Sequence, residues 1–165
     1  HELNKKITIL EIREAVKRLK KGKSAGIDSI INELLLFGGE MMINVCHLLF
    51  MNVWNKECIP KDWKRGVVAP IFKNKGDRHD PFEYRGISLL SVVGKLFALV
   101  LNTRIMSWTE KQGMLVEEQG GFRSCRGCPD QIFILNEIIE KKCFEEKKNI
   151  FACFIDLQKA YLRLP

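Results

Sequence analysis

Six apolar residues in a row, Ile150-Phe151-Ala152-Cys153-Phe154-Ile155, run straight into Asp156. An unbroken run of this kind predicts a central strand buried on both faces, which demands a sheet and covering elements around it. It is far short of the ~20 apolar residues that a membrane-spanning helix needs. A carboxylate at the exit of such a strand is costly to bury unless it is paired, hydrogen-bonded or bound to a cation. Asp156 therefore reads in two ways. It is a surface residue or cap for the turn into a helix that follows, Leu157-Gln158-Lys159-Ala160-Tyr161, or it is a hard oxygen ligand suited to Mg²⁺ and the phosphates that ion carries.

The segments before it supply mostly helices. Thr8-Ile9-Leu10-Glu11 has the form of a capping box, and Ile9, Ile12, Val16 and Leu19 follow at helical spacing up to Gly22. A short linker leads to a second helix that stops at Gly38-Gly39. The stretch from Glu40 to Asn55 is apolar on most sides and predicts a buried helix. Val67 to Phe72 reads as a strand, placed at an edge or bulge by Pro70. Asn74-Lys75-Gly76-Asp77 is a turn, and Phe82 to Leu89 can return beside the first strand as a basic hairpin. Ser91 caps a long helix ending at Gly113. Pro129 suits the start of another helix, striped by Ile132, Leu135, Ile138 and Ile139. The class is α+β, with helices around a small, mostly antiparallel sheet.

The chain of 165 residues carries a net charge of +7, and 46 % of it is apolar, which excludes a disordered tail. Residues 1–23 hold eight Lys or Arg against three Glu, and residues 61–85 hold seven basic against four acidic residues. Clustered positive charge suits phosphate backbones, and equally a solvated basic face. The opening residues contain no apolar signal segment, so the six cysteines are expected as reduced thiols in an intracellular protein, nuclear or cytoplasmic. Cys125-Arg126-Gly127-Cys128 raises zinc or redox chemistry, but two further ligands at zinc spacing do not follow.

Five segments, in order, carry a more specific signal: Lys23-Ser24-Ala25-Gly26-Ile27-Asp28; Ile59 to Trp63 with Val68 to Asp77; Tyr84-Arg85-Gly86-Ile87-Ser88-Leu89-Leu90; Gln119 to Ile132; and Phe154-Ile155-Asp156-Leu157-Gln158-Lys159-Ala160-Tyr161. Together they resemble the reverse transcriptase of non-LTR (LINE-type) retrotransposons over about residues 7–163. The resemblance implies reverse-transcriptase-like fingers and a partial palm. Residues 1–150 would be the fingers and first palm helices, and residues 151–165 the first catalytic palm strand.

The same resemblance implies roles. Asp156 matches the first catalytic, metal-binding aspartate, with the Leu157 carbonyl beside it on Mg²⁺. Arg85, Lys73 and Tyr161 match nucleotide-binding positions, and Phe122, Arg123 and Arg126 match a segment that contacts template and nucleotide. The implied partners are an RNA template, a DNA primer and dNTP, with no membrane. Departures are Gly86 for the usual Pro, Cys125 for Gly and Leu162 for Asp. The family's aromatic-x-Asp-Asp motif lies beyond this sequence, as do the rest of the palm and the thumb. The expectation is therefore part of an RNA-directed DNA polymerase, by itself inactive. The alternatives are a retrotransposon-derived nucleic-acid-binding or scaffold remnant without catalysis, and a translated fragment without a stable fold.

Overall fold

A computed structural model describes residues 2–157, which fall in two compact units, His1–Trp108 and Thr109–Pro165. In the first unit, α1 (Ile9–Lys17), α2 (Asn32–Phe37) and α3 (Gly39–Lys56) precede a hairpin of β1 (Gly66–Phe72) and β2 (Tyr84–Leu90). The helix α4 (Val92–Lys111) follows directly. Mixed helices with a two-stranded antiparallel sheet make the class α+β, as expected.

The capping box at α1 is formed. The Glu11 amide donates to Thr8 Oγ1 at 3.3 Å, and the Thr8 amide donates back to Glu11 Oε2 at 2.8 Å. The helix nevertheless ends at Lys17, well before Gly22. Tertiary partners take over the backbone groups that a longer helix would have paired. Asn32 Nδ2 donates to the Lys20 carbonyl, and the Gly22 amide donates to Glu33 Oε1, both at 2.6 Å.

The core gathers Ile12, Ala15 and Val16 of α1, Leu35 of α2, and Val92, Val93, Leu96, Phe97 and Val100 of α4. From α3 only Ile43, Cys46, Phe50 and Val53 are fully buried, one stripe at helical spacing. The buried helix expected from apolar residues on most sides is found on one side only, since Met41, Val45 and Leu48 face water. Phe50 sits at the centre, edge-on to Phe97 at 5.2 Å and to Trp63 at 6.0 Å. Ser91, itself buried, accepts from the Gly94 amide at 3.2 Å and so starts α4.

In the hairpin Gly66 pairs with Leu90 and Phe72 with Tyr84, with Pro70 opposite Gly86. Both strands of a two-stranded sheet are edges, so Pro70 costs no second ladder. Gly26 is required by close approach. A Cβ there would lie 2.5 Å from the Leu90 carbonyl carbon and 2.7 Å from the Ser91 nitrogen.

In the second unit, Gly113, at φ +60°, closes α4. Its amide donates to the Glu110 carbonyl at 3.1 Å and the Met114 amide donates to Thr109 at 3.0 Å, the Schellman pattern. A loop leads to α5 (Cys128–Ile139) and a π turn (Glu140–Glu145). The expected apolar stripe of α5 lies where predicted but faces solvent. The expected buried strand over Ile150–Ile155 is not formed: residues 150–157 have no regular structure, and Phe151 is 95 % exposed. A strand needs a ladder partner for its amides and carbonyls, and the sheet of the described residues contains β1 and β2 alone. No described helix is long and apolar enough to cross a membrane.

Candidate nucleic-acid interface

The basic N-terminal cluster and the basic hairpin, far apart in sequence, meet in the first unit. Between them lies a groove of about 640 Å³. Ala69, Ile71, Ile87 and Leu89 form its apolar floor, and Arg18, Lys20, Lys23 and Lys95 stand around it. Among the described residues no acidic side chain lines it, although Glu33 accepts from the Gly22 amide at its edge. All four cations are exposed. Arg18 Nη1 donates to Thr103 Oγ1 at 3.1 Å, which fixes its position without neutralising it. Four positive charges over an apolar floor suit a chain of phosphates with flat bases between them.

The hairpin register extends this face. Arg85 lies opposite Ile71, so it shares the face of Ala69, Ile71 and Ile87 that floors the groove. Its side chain is exposed and makes no hydrogen bond or ion pair to another described residue, while its backbone belongs to the ladder. Lys73 behaves differently. Its Nζ donates to the Phe82 carbonyl at 2.6 Å while its amide donates to the Glu83 carbonyl at 2.8 Å, so it braces the hairpin loop.

Lys95 carries the one signal that reading the sequence overlooked. It lies in the first turn and a half of α4, where the helix dipole disfavours a cation. Its charge is not offset by an acidic residue in the first turn of that helix.

In the second unit, Phe122, Arg123 and Arg126 share the loop between α4 and α5. Phe122 is almost fully exposed and has φ +64°. The Arg123 side chain is 8 % exposed, and its donors are taken. Its Nε and Nη2 each donate to Glu110 at 2.9 Å, and its Nη1 donates to the Val116 carbonyl at 2.9 Å. The pairing holds the Glu110 carboxyl below its ordinary range and raises the Arg123 guanidinium. Arg126 donates through Nη2 to Glu117. Arg123 thus clamps the loop, and Arg126 lies on its solvent side.

Asp156 and Leu157 are exposed, and Tyr161 lies outside the described residues. Among the described residues no three His, Cys, Asp or Glu side chains are placed to hold a metal. A two-ion magnesium centre needs further carboxylates beside Asp156, so these residues do not fit one. All six cysteines are free thiols, and burial pushes Cys46 up.

Comparison with known proteins follows the same lines. The chain is 32 % identical over 160 residues to a probable RNA-directed DNA polymerase from transposon BS of Drosophila melanogaster. It is 30 % identical over 156 residues to that from transposon X-element of the same organism. It is 26 % identical over 159 residues to the polymerase of the mobile element jockey. These alignments cover 97 %, 93 % and 96 % of this chain, but only 18 %, 17 % and 17 % of the relatives. No protein-family model matches the chain.

The chain is thus a homologue of RNA-directed DNA polymerases. More narrowly, it corresponds to one segment, under a fifth of the length, of those carried by non-LTR retrotransposons.

Proposed function

We propose that this chain forms the fingers and the opening of the palm of a non-LTR retrotransposon RNA-directed DNA polymerase, and that its own contribution is to hold polynucleotide phosphate. The observation that carries the reading is the groove edged by Arg18, Lys20, Lys23 and Lys95, with no acidic lining. Within that reading, residues 1–150 are the fingers and first palm helices, and residues 151–165 become a catalytic strand once paired within a larger sheet. The RNA template lies over the apolar floor, with Arg85 contacting the triphosphate of an incoming dNTP at the far end of the hairpin. A guanidinium with all its donors available suits this through bidentate bonding. Lys73 fixes the hairpin tip, and Tyr161 packs beneath the nucleotide sugar.

Asp156 and the Leu157 carbonyl would hold a divalent ion only with further carboxylates beside them, which the described residues do not provide. The described residues alone bind rather than make bonds, so the chain by itself lacks polymerase activity.

The test is a titration with a single-stranded RNA oligonucleotide. Neutralising the groove in the triple variant Lys20→Gln, Lys23→Gln, Lys95→Gln is expected to weaken binding at least tenfold at low salt. An unchanged affinity would contradict the reading. So would dNTP incorporation on primed RNA by the chain alone, abolished by Asp156→Ala, for the claim of inactivity.

A further inference from the structure

Two arginines of the second unit, Arg123 and Arg126, both lie within reach of one carboxylate, Glu117. They are not equivalent. Arg123 is nearly buried and satisfied by Glu110 and the Val116 carbonyl, with Glu117 Oε1 a distant addition at 3.8 Å. Arg126 has Glu117 as its ion-pair partner and engages it through Nη2. The Glu117 side chain is 76 % exposed. Its carboxylate bonds to nothing outside this pair of arginines among the described residues. Glu110 is therefore part of the loop's construction, whereas Glu117 is a removable lid on a guanidinium.

We propose that Glu117 is a built-in competitor for phosphate, occupying Arg126 until a polyanion displaces it. The inference rests on the polynucleotide-binding reading above and adds a regulatory contact to it. A carboxylate and a phosphate draw on the same planar donor fork: Glu117 takes one donor of Arg126, Nη2, whereas a phosphate can take two. The carboxylate half of the pair is open to water while the Arg126 side chain is 31 % exposed, so the pair is partly screened by salt and Glu117 is the partner free to leave. Arg123 does not take part, because releasing it would strip Glu110 and the Val116 carbonyl of their partners and open the loop.

Glu118 provides the control, since it is the adjacent residue, carries the same charge, is exposed, and its side chain makes no hydrogen bond or ion pair among the described residues. Replacing either acid by Gln raises the net charge equally.

The experiment is a titration of the whole chain with a single-stranded RNA oligonucleotide, comparing wild type, Glu117→Gln, Glu118→Gln, Arg126→Gln and the double variant Glu117→Gln/Arg126→Gln. Circular dichroism melts check that each variant keeps the fold. Glu117→Gln is expected to tighten binding about threefold beyond Glu118→Gln, and that gain is expected to vanish in the Arg126→Gln background. Equal effects of the two glutamine variants overturn the inference, as does a gain from Glu117→Gln that persists without Arg126. Absence of RNA binding by the wild type at low salt overturns the polynucleotide reading itself, a distinct outcome.

Discussion

Replacing Glu11 by Gln tests how the first unit is held closed. Arg104 of α4 grips Glu11 with two bonds, Nε to Oε1 at 2.5 Å and Nη2 to Oε2 at 2.8 Å. The same guanidinium donates to the Lys5 carbonyl at 2.5 Å and the Lys6 carbonyl at 2.8 Å, and lies over the Trp54 ring at 5.6 Å. It ties the N-terminal segment, α1, α3 and α4 together. The Arg104 pairing is the main reason the Glu11 carboxyl is lowered from 4.5 to about 2.

That displacement corresponds to about 3 kcal/mol before screening. With roughly a third of the side chain reached by water, about 1–2 kcal/mol is the working figure. Gln with its oxygen in the place of Oε2 keeps the capping-box geometry. Its NH2 replaces the Oε1 acceptor of Arg104 Nε, so the substitution removes the charge together with one Arg104 bond. The depressed folded-state value means that the stabilisation is present above the unfolded carboxyl range and is lost as pH falls from about 4.5 to about 2.

Thermal melts followed by circular dichroism are expected to show Glu11→Gln about 3–6 °C below wild type at pH 7. The two curves converge by pH 2. Equal melting temperatures at pH 7, or a gap that does not close with acid, would refute the assignment of this stability to the Glu11–Arg104 pair.

Two further substitutions probe the packing of the first unit. Phe50→Ala empties the centre of the aromatic cluster, where Phe50 is 0 % exposed, and is expected to cost about 3–5 kcal/mol in chemical denaturation. Gly26→Ala drives a methyl group against the Leu90 backbone and is expected to destabilise by about 1–3 kcal/mol or to shift the end of β2, read from the melt and the amide spectrum.

What was legible in the sequence was local. Thr8 and Glu11 announce their capping box because both partners lie within one turn. The turn residues Asn74 to Asp77 announce the hairpin, and Ser91 announces α4, for the same reason. Features decided by distant partners were hidden. The early end of α1 depends on Asn32 and Glu33, and the groove depends on Arg18, Lys20 and Lys23 meeting β1, β2 and Lys95.

Arg123 and Arg126 look alike in the motif, yet the structure separates them through Glu110, an acid on a different element. The apolar run at 150–155 has the composition of a central strand, but composition cannot supply the neighbour that a strand pairs with. Its exposed phenylalanines, with the solvent-facing stripe of α5, show an apolar surface that the described residues do not cover.

Binding of polynucleotide phosphate by the groove is the property on which the proposed function stands. It is tested most directly by the salt dependence of RNA binding. With three to four groove cations engaging phosphates of a single strand, log K is expected to fall against log salt concentration with a slope of about −2 to −3. Neutralising Lys20, Lys23 and Lys95 is expected to make that slope shallower by about 2. A flat salt dependence in the wild type, or an identical slope in the variant, would contradict the claim.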